Sequence, residues 1–159
     1  MSPVATSTSQ FRSQRGAVAV EFALVLPLFL LLLLGMFDFG KAFNYWIDGT
    51  HLSHEGVRFA AVGKNPGPGA TLAESIKMRA DTDELANGGD SVAGPMKVCV
   101  RFPDETSRVG DPVEVEVEFT YEFLPYVGGM APGLTDTTVT NTSTMRLEQD
   151  PPFPEHCTA

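Results

Sequence analysis

Apolar residues run almost without interruption from Ala17 to Phe37, and only Glu21 carries a charge within that stretch. At about 1.5 Å per residue, a helix over this run crosses the roughly 30 Å of a bilayer's hydrocarbon. Past Phe37 the spacing changes. Polar side chains at Asp38, Lys41, Asn44, Asp48, His51, Glu55 and Arg58 recur every three or four residues, which is one stripe of an α-helix. Phe39, Phe43, Trp46, Ile47, Val57, Ala60 and Ala61 occupy its other faces. The pattern predicts a helix that leaves the apolar span and continues over 38–62. Gly40, Gly49 and Gly56 each weaken it by about 1 kcal/mol relative to alanine and permit close approach of a neighbouring backbone. Pro27 removes one backbone hydrogen bond inside the span and can kink it.

Three glycines and two prolines between Gly63 and Gly69 end this helix. A second, weaker helix is expected over Thr71–Ala86, with Thr71 as its cap, Glu74 completing a capping box and Asn87-Gly88-Gly89 as its stop. The period then becomes two. Met96, Val98, Val100 and Phe102 alternate with Lys97, Cys99 and Arg101, and Val113 to Phe123 alternate with Glu114, Glu116, Glu118, Thr120 and Glu122. Two half-buried strands follow from that alternation, joined through turn-forming Pro103-Asp104 and Gly110-Asp111-Pro112. In a hairpin, Lys97 and Arg101 share the outer face with the glutamates. A third strand is expected over Thr137–Glu148, with Val139, Ser143, Met145 and Leu147 on or near one face and Arg146 and Glu148 on the other. The expected fold is α+β: a long N-terminal helix whose outer half packs on a small antiparallel sheet. The expected segments are a leader or tail (1–16), a transmembrane helix (17–37), its continuation outside (38–62), a loop with a short helix (63–95), the sheet (96–148) and a C-terminal tail (149–159).

Charge adds orientation. Arg12 and Arg15 precede the span, and Asp38 follows it with Lys41 the only nearby base. The positive-inside rule therefore places residues 1–16 in the cytoplasm and the domain outside. Removing Arg12, Arg15 and Glu21 from the 11 basic and 20 acidic residues leaves nine against nineteen, a net of −10 for the rest. Such a domain repels nucleic acid, and no basic stripe exists to bind it. The apolar run is too long for a secretory h-region and lacks a small-x-small site after it, so it is expected to stay in the mature protein. Cys99 and Cys157 are the only cysteines, fewer than a zinc ribbon needs. Outside the cell they can form a disulfide that ties the tail to the first strand.

Candidate chemistry is sparse. His51 and His54, with Glu55 beside them, have a spacing that can hold a metal, but the pattern is read as a wet helix face. Asp81-Thr82-Asp83 through Asp90 resembles a calcium loop only distantly, because Leu85 stands where an oxygen ligand is needed. Asn141-Thr142-Ser143 spells a glycosylation sequon inside a Thr-rich strand. Ser53-His54-Glu55 are helix neighbours and cannot converge as a triad. No metal, cofactor or catalytic role is expected. Glu21 is different. A carboxylate in a lipid-facing helix costs about 2.5–3.5 kcal/mol at the centre, less near the interface, so a partner charge is expected.

The sequence from Gly16 through Ala17, Val18, Ala19, Val20, Glu21, Phe22, Ala23, Leu24, Val25 and Leu26 to Pro27 resembles the N-terminal signature of the TadE-like family. These are pseudopilins and related membrane proteins of the tight-adherence pilus. Asp38 at the end of the leucine-rich span, His54 to Ala61, and Met145-Arg146-Leu147-Glu148 are similar to further family features. The resemblance implies a pilin-like fold and a prepilin-peptidase motif at Gly16, Ala17, Glu21 and Phe22, with cleavage between Gly16 and Ala17. It implies assembly through the helix carrying Glu21 and Pro27, with membrane lipid, other pilin or pseudopilin subunits, the pilus machinery and a prepilin peptidase as partners. It also implies a single-pass location in a bacterial cytoplasmic membrane or in the pilus. The expected function is a structural or assembly component of such a pilus. The alternative is an uncleaved single-pass anchor displaying a domain that binds an extracellular ligand or an envelope partner.

Overall fold

The computed structural model describes residues 10–124 and 136–158, with side chains from Gly16 onward. Helix α1 spans Gln10–Ala61 and keeps its helical course through Pro27. The chain divides into two compact units, Met1–Phe37 and Asp38–Ala159. In the first, no side chain from Gly16 to Phe37 is buried. This part of α1 begins the one helix, among the described residues, that is long and apolar enough to cross a membrane.

The second unit is a helical layer on one face of a four-stranded sheet. Strands β1 (Val92–Arg101), β2 (Pro112–Glu122), β3 (Asp136–Arg146) and β4 (His156–Cys157) lie in the order β3-β2-β1-β4, and every neighbouring pair is antiparallel. Alternation in β2 divides its residues between faces: Val113, Val115, Val117, Phe119 and Tyr121 are buried and the intervening glutamates half-buried. Met96, Val98 and Val100 of β1 join them, and helices α2 (Leu72–Lys77) and α3 (Asp83–Asn87) cover β1 with Leu72, Ile76 and Leu85. The α+β reading, a long N-terminal apolar helix with a small antiparallel sheet, matches this architecture.

Four local differences from expectation have physical causes. The expected 71–86 helix is two. Thr71 and Glu74 do form the capping box, but Thr82 accepts the Leu85 N–H and starts a second helix. Between them the Asp81 N–H is taken by Asp48. Strand β1 starts at Val92, earlier than Met96, because an irregularity between Ala93 and Lys97 absorbs Gly94 and Pro95 without ending the pairing with β2. The C-terminal tail supplies a strand: β4 pairs Cys157 with Cys99 and His156 with Val100. In β3, Met145 is exposed, and the inward positions are Asn141 and Ser143, both buried. They face polar groups of α1: Thr50 Oγ1 donates to Asn141 Oδ1 at 3.0 Å, and Ser143 Oγ lies 3.0 Å from Ser53 Oγ.

The buried face of α1 sets small residues among Tyr45, Leu52 and Val57. A Cβ on Gly49 would lie 2.6 Å from Asn141 Nδ2, and one on Gly56 2.7 Å from Ile76 Cδ1 and 3.1 Å from Val115 Cγ1. Glycine thus lets the helix sit close to the strands at these two turns, an approach that offsets its poor helix propensity. Gly40 has open space around it. The helix closes with a Schellman motif. Gly63 takes φ +59°, Lys64 N–H donates to Phe59 O, and Gly63 N–H donates to Ala60 O.

Candidate assembly site

The N-terminal motif is a set of positions on one helix. Gly16, Ala17, Glu21, Phe22 and Pro27 all lie on α1 and are exposed. Ala17 and Glu21 are four residues apart, so they stand one turn above each other on the same face. A Cβ at Gly16 would meet nothing within 4 Å. The side chains of Arg12 and Arg15, which set the expected orientation, lie outside those described.

Two polar clusters fix the start of the second unit. Asp38 receives Tyr121 Oη at 2.8 Å on one carboxylate oxygen and the Leu124 N–H at 2.8 Å on the other. Burial, and then the Asp38 carboxylate it bonds, raise the Tyr121 phenol above its ordinary range. The second cluster centres on Glu84. Lys41 Nζ lies 2.9 Å from Glu84 Oε2 and donates to Ser91 Oγ at 2.9 Å. Tyr45 Oη donates to Glu84 at 2.7 Å, and so does the Ser91 N–H. Burial pushes the Glu84 carboxyl up, but the bonds from Lys41, Tyr45 and Ser91 outweigh it and hold the pKa at about 2. For Lys41, burial lowers the ammonium, and Glu84 and Tyr45 outweigh that and raise it.

Asp48 is the buried acid of the unit, 7% exposed. Burial raises its pKa, opposed by the Asp81 N–H it accepts at 3.0 Å and reinforced by the Asp81 carboxylate. The remaining candidates are engaged elsewhere. His54 Nδ1 lies 3.1 Å from Ser143 Oγ, and Glu55 pairs with Arg79. Among the described residues no group of three or more histidines, cysteines or acids is arranged to hold a metal. Asn141 of the sequon is buried against Thr50.

The pH dependence of the Glu84 cluster has a definite sign. A carboxylate whose pKa is lowered on folding stabilises the fold fully above its unfolded value, and that stabilisation is lost as pH falls towards 2. Glu84→Gln keeps the shape and removes the charge. Relative to wild type it is expected to be less stable by about 2 kcal/mol at pH 7, the scale of hydrogen bonds to a charged group. That gap should close between about pH 5 and pH 2. Thermal melts of the two proteins across this range test it, and a gap independent of pH refutes the assignment.

The sheet closes on its other side through a disulfide between Cys99 and Cys157, whose Cα atoms are 4.1 Å apart. The tail reaches the face of Lys97 and Arg101 by becoming an edge strand. Val98 N–H donates to Thr158 Oγ1, Thr158 N–H donates to Val98 O, and the Phe102 N–H donates to Glu155. On the same outer face Arg101 makes a two-armed bond to Glu116, at 2.9 and 3.2 Å.

The sequence pattern did not reveal the roles of Asp38, Lys41 and Asp48. Their three- and four-residue steps resemble a solvated stripe, yet each reaches into the second unit. Gly49 and Gly56, read from the sequence as points of close approach, share a helical spacing with Ser53 and Ala60.

The family model described as TadE-like protein matches residues 16–58. The match begins at Gly16 and takes in Glu21, Pro27 and Asp38, so the resemblance of the N-terminal signature to that family is shown over this segment. No curated protein and no solved structure matches the chain. The TadE-like segment and the membrane-length helix together support a membrane protein associated with a pilus. The family is a structural one and not a family of enzymes.

Proposed function

We propose that the chain is a pseudopilin or minor pilin that is inserted in the cytoplasmic membrane and assembled through α1. Residues 1–16 lie in the cytoplasm and the domain from Asp38 lies outside, as Arg12 and Arg15 dictate. A prepilin peptidase cuts between Gly16 and Ala17, leaving Glu21 as the fifth residue of the mature protein. The carrying observation is Glu21 itself, an exposed acid in a membrane-length apolar helix, within a segment that matches the TadE-like model. The new ammonium at Ala17 stands one turn from it and supplies the charge that a neighbouring subunit's Glu21 lacks in lipid.

The mature mass tests this reading. Wild-type protein from its native membrane is expected to start at Ala17. Gly16→Leu is expected to retain the leader, because its side chain fills the space that a peptidase needs beside the scissile bond. Wild-type protein that keeps residues 1–16 in its final location would show an uncleaved anchor instead.

A further inference from the structure

Strand β3 forms one edge of the sheet, and among the described residues no strand lies beyond it. Such an edge presents backbone N–H and C=O groups ready to pair with another strand. Natural edges are blunted by charge, proline, bulges or shortness. The opposite edge is treated in that way: β4 is two residues long, is fixed by the disulfide and follows Pro151, Pro152 and Pro154. Among the described residues nothing similar protects β3. Its register with β2 runs unbroken from Asp136 to Arg146, and residues 137–145 include no charge and no proline.

The second observation comes from α1. Thr50 and His54 bond Asn141 and Ser143, so this flank of the helix lies over β3. Helical spacing puts Phe39, Phe43, Trp46 and Ile47 on that same flank. They are 66%, 50%, 47% and 40% exposed, and contiguous exposed apolar side chains of this kind mark interaction surfaces. Phe43 and Trp46 touch, with ring centroids 5.5 Å apart. An open backbone edge thus runs beside an apolar wall.

The third observation is charge. On the outer face, Glu114, Glu116 and Glu118 stand opposite Thr144, Thr142 and Thr140 of β3. Among the described residues, Glu116 alone of the glutamates on β2 is in a salt bridge. A strand added to β3 would lie about 10 Å from β2, two strand spacings away. Lysine and arginine stems are long enough to cross the short threonines and reach the glutamates.

We propose that the β3 edge and the adjoining flank of α1 form a groove for an extended segment of a partner protein that alternates apolar and basic residues. The segment adds to β3 as a further strand. Its apolar side chains pack against Phe43, Trp46 and Ile47, and its basic side chains lie beside the β2 glutamates. Backbone pairing supplies affinity and the alternating side chains supply specificity. This goes beyond the assembly reading and is independent of leader cleavage.

Trp46 is the chain's only tryptophan and reports on the groove directly. Full-length protein in nanodiscs of zwitterionic phospholipid is titrated with a nine-residue peptide alternating valine and lysine. A saturable blue shift of Trp46 emission is expected. The same peptide methylated on every backbone nitrogen, and one alternating valine and glutamate, should each bind at least tenfold more weakly. Thr142→Lys puts a charge at an exposed position of β3 and should weaken binding at least tenfold, with an unchanged circular dichroism spectrum. No saturable shift, or equal binding of the methylated or the acidic peptide, overturns the proposal.

Discussion

Reduced protein is expected to melt about 15 °C below oxidised protein. The disulfide joins residues 58 apart in sequence, and closing a loop of that length stabilises a fold by about 4 kcal/mol on the chain-entropy model. For a domain the size of Asp38–Ala159, that free energy corresponds to roughly 15 °C. The native contacts point the same way. Without the cross-link, β4 has two residues of pairing, and the Val98, Thr158 and Glu155 bonds must hold the tail alone. Comparing oxidised and reduced wild type isolates the cross-link, since no side chain is replaced. The strand signal in circular dichroism is the readout, followed in the full chain in detergent. Melting points within about 2 °C of each other would show that the tail is held by its contacts and not by the bond.

How far the sequence disclosed this fold depended on side-chain size. Strands β1 and β2 announced themselves because large β-branched and aromatic residues alternate with charges, a pattern that only a half-buried strand accommodates. The capping box at Thr71 was legible because it is local chemistry over four residues. The buried face of α1 was legible only in part. Tyr45, Leu52 and Val57 are buried there among Gly49, Ser53, Gly56 and Ala60, which carry little hydrophobic weight, and Phe39, Phe43, Trp46 and Ile47 stand exposed. Of the apolar residues set apart from the polar stripe, Val57, Ala60 and Ala61 are buried, whereas the larger Phe39, Phe43, Trp46 and Ile47 are not, because the small residues let the helix approach the sheet on a neighbouring face. Asp48 reads as a solvated acid because nothing local betrays that the Asp81 N–H will meet it.

The same logic separates the candidate sites. Cys99 and Cys157 could be matched because two cysteines in a domain expected to lie outside admit one internal pairing, while the strand that brings them together was invisible in two residues shortly after a run of prolines. The N-terminal motif is the reverse case. It was legible as a pattern of charge in an apolar run, because a carboxylate in a span is costly wherever it falls. Gly16, Ala17, Glu21, Phe22 and Pro27 are all exposed, and a Cβ at Gly16 would meet nothing within 4 Å.

Variants of Glu21 are therefore expected to separate insertion from assembly. Glu21→Gln removes the charge and keeps the side chain's length, so membrane content should match wild type or exceed it. Glu21→Leu should insert better still, since it removes a cost of up to about 2.5–3.5 kcal/mol. Both should assemble poorly. In the proposed pairing, the Ala17 ammonium of one subunit faces the Glu21 carboxylate of the next. Removing one partner of a buried pair costs about 3–5 kcal/mol, because the other charge stays in a poor solvent. At 1.4 kcal/mol per factor of ten, recruitment should fall by a hundredfold or more. Glu21→Asp restores the charge on a shorter arm and should recover part of the loss, whereas a role in packing alone would favour the glutamine variant over the aspartate. The measurement is membrane content alongside co-purification with pilus components for the four proteins. Wild-type recruitment of Glu21→Leu would mean that the charge serves no contact between subunits, and the pairing with Ala17 would have to be abandoned.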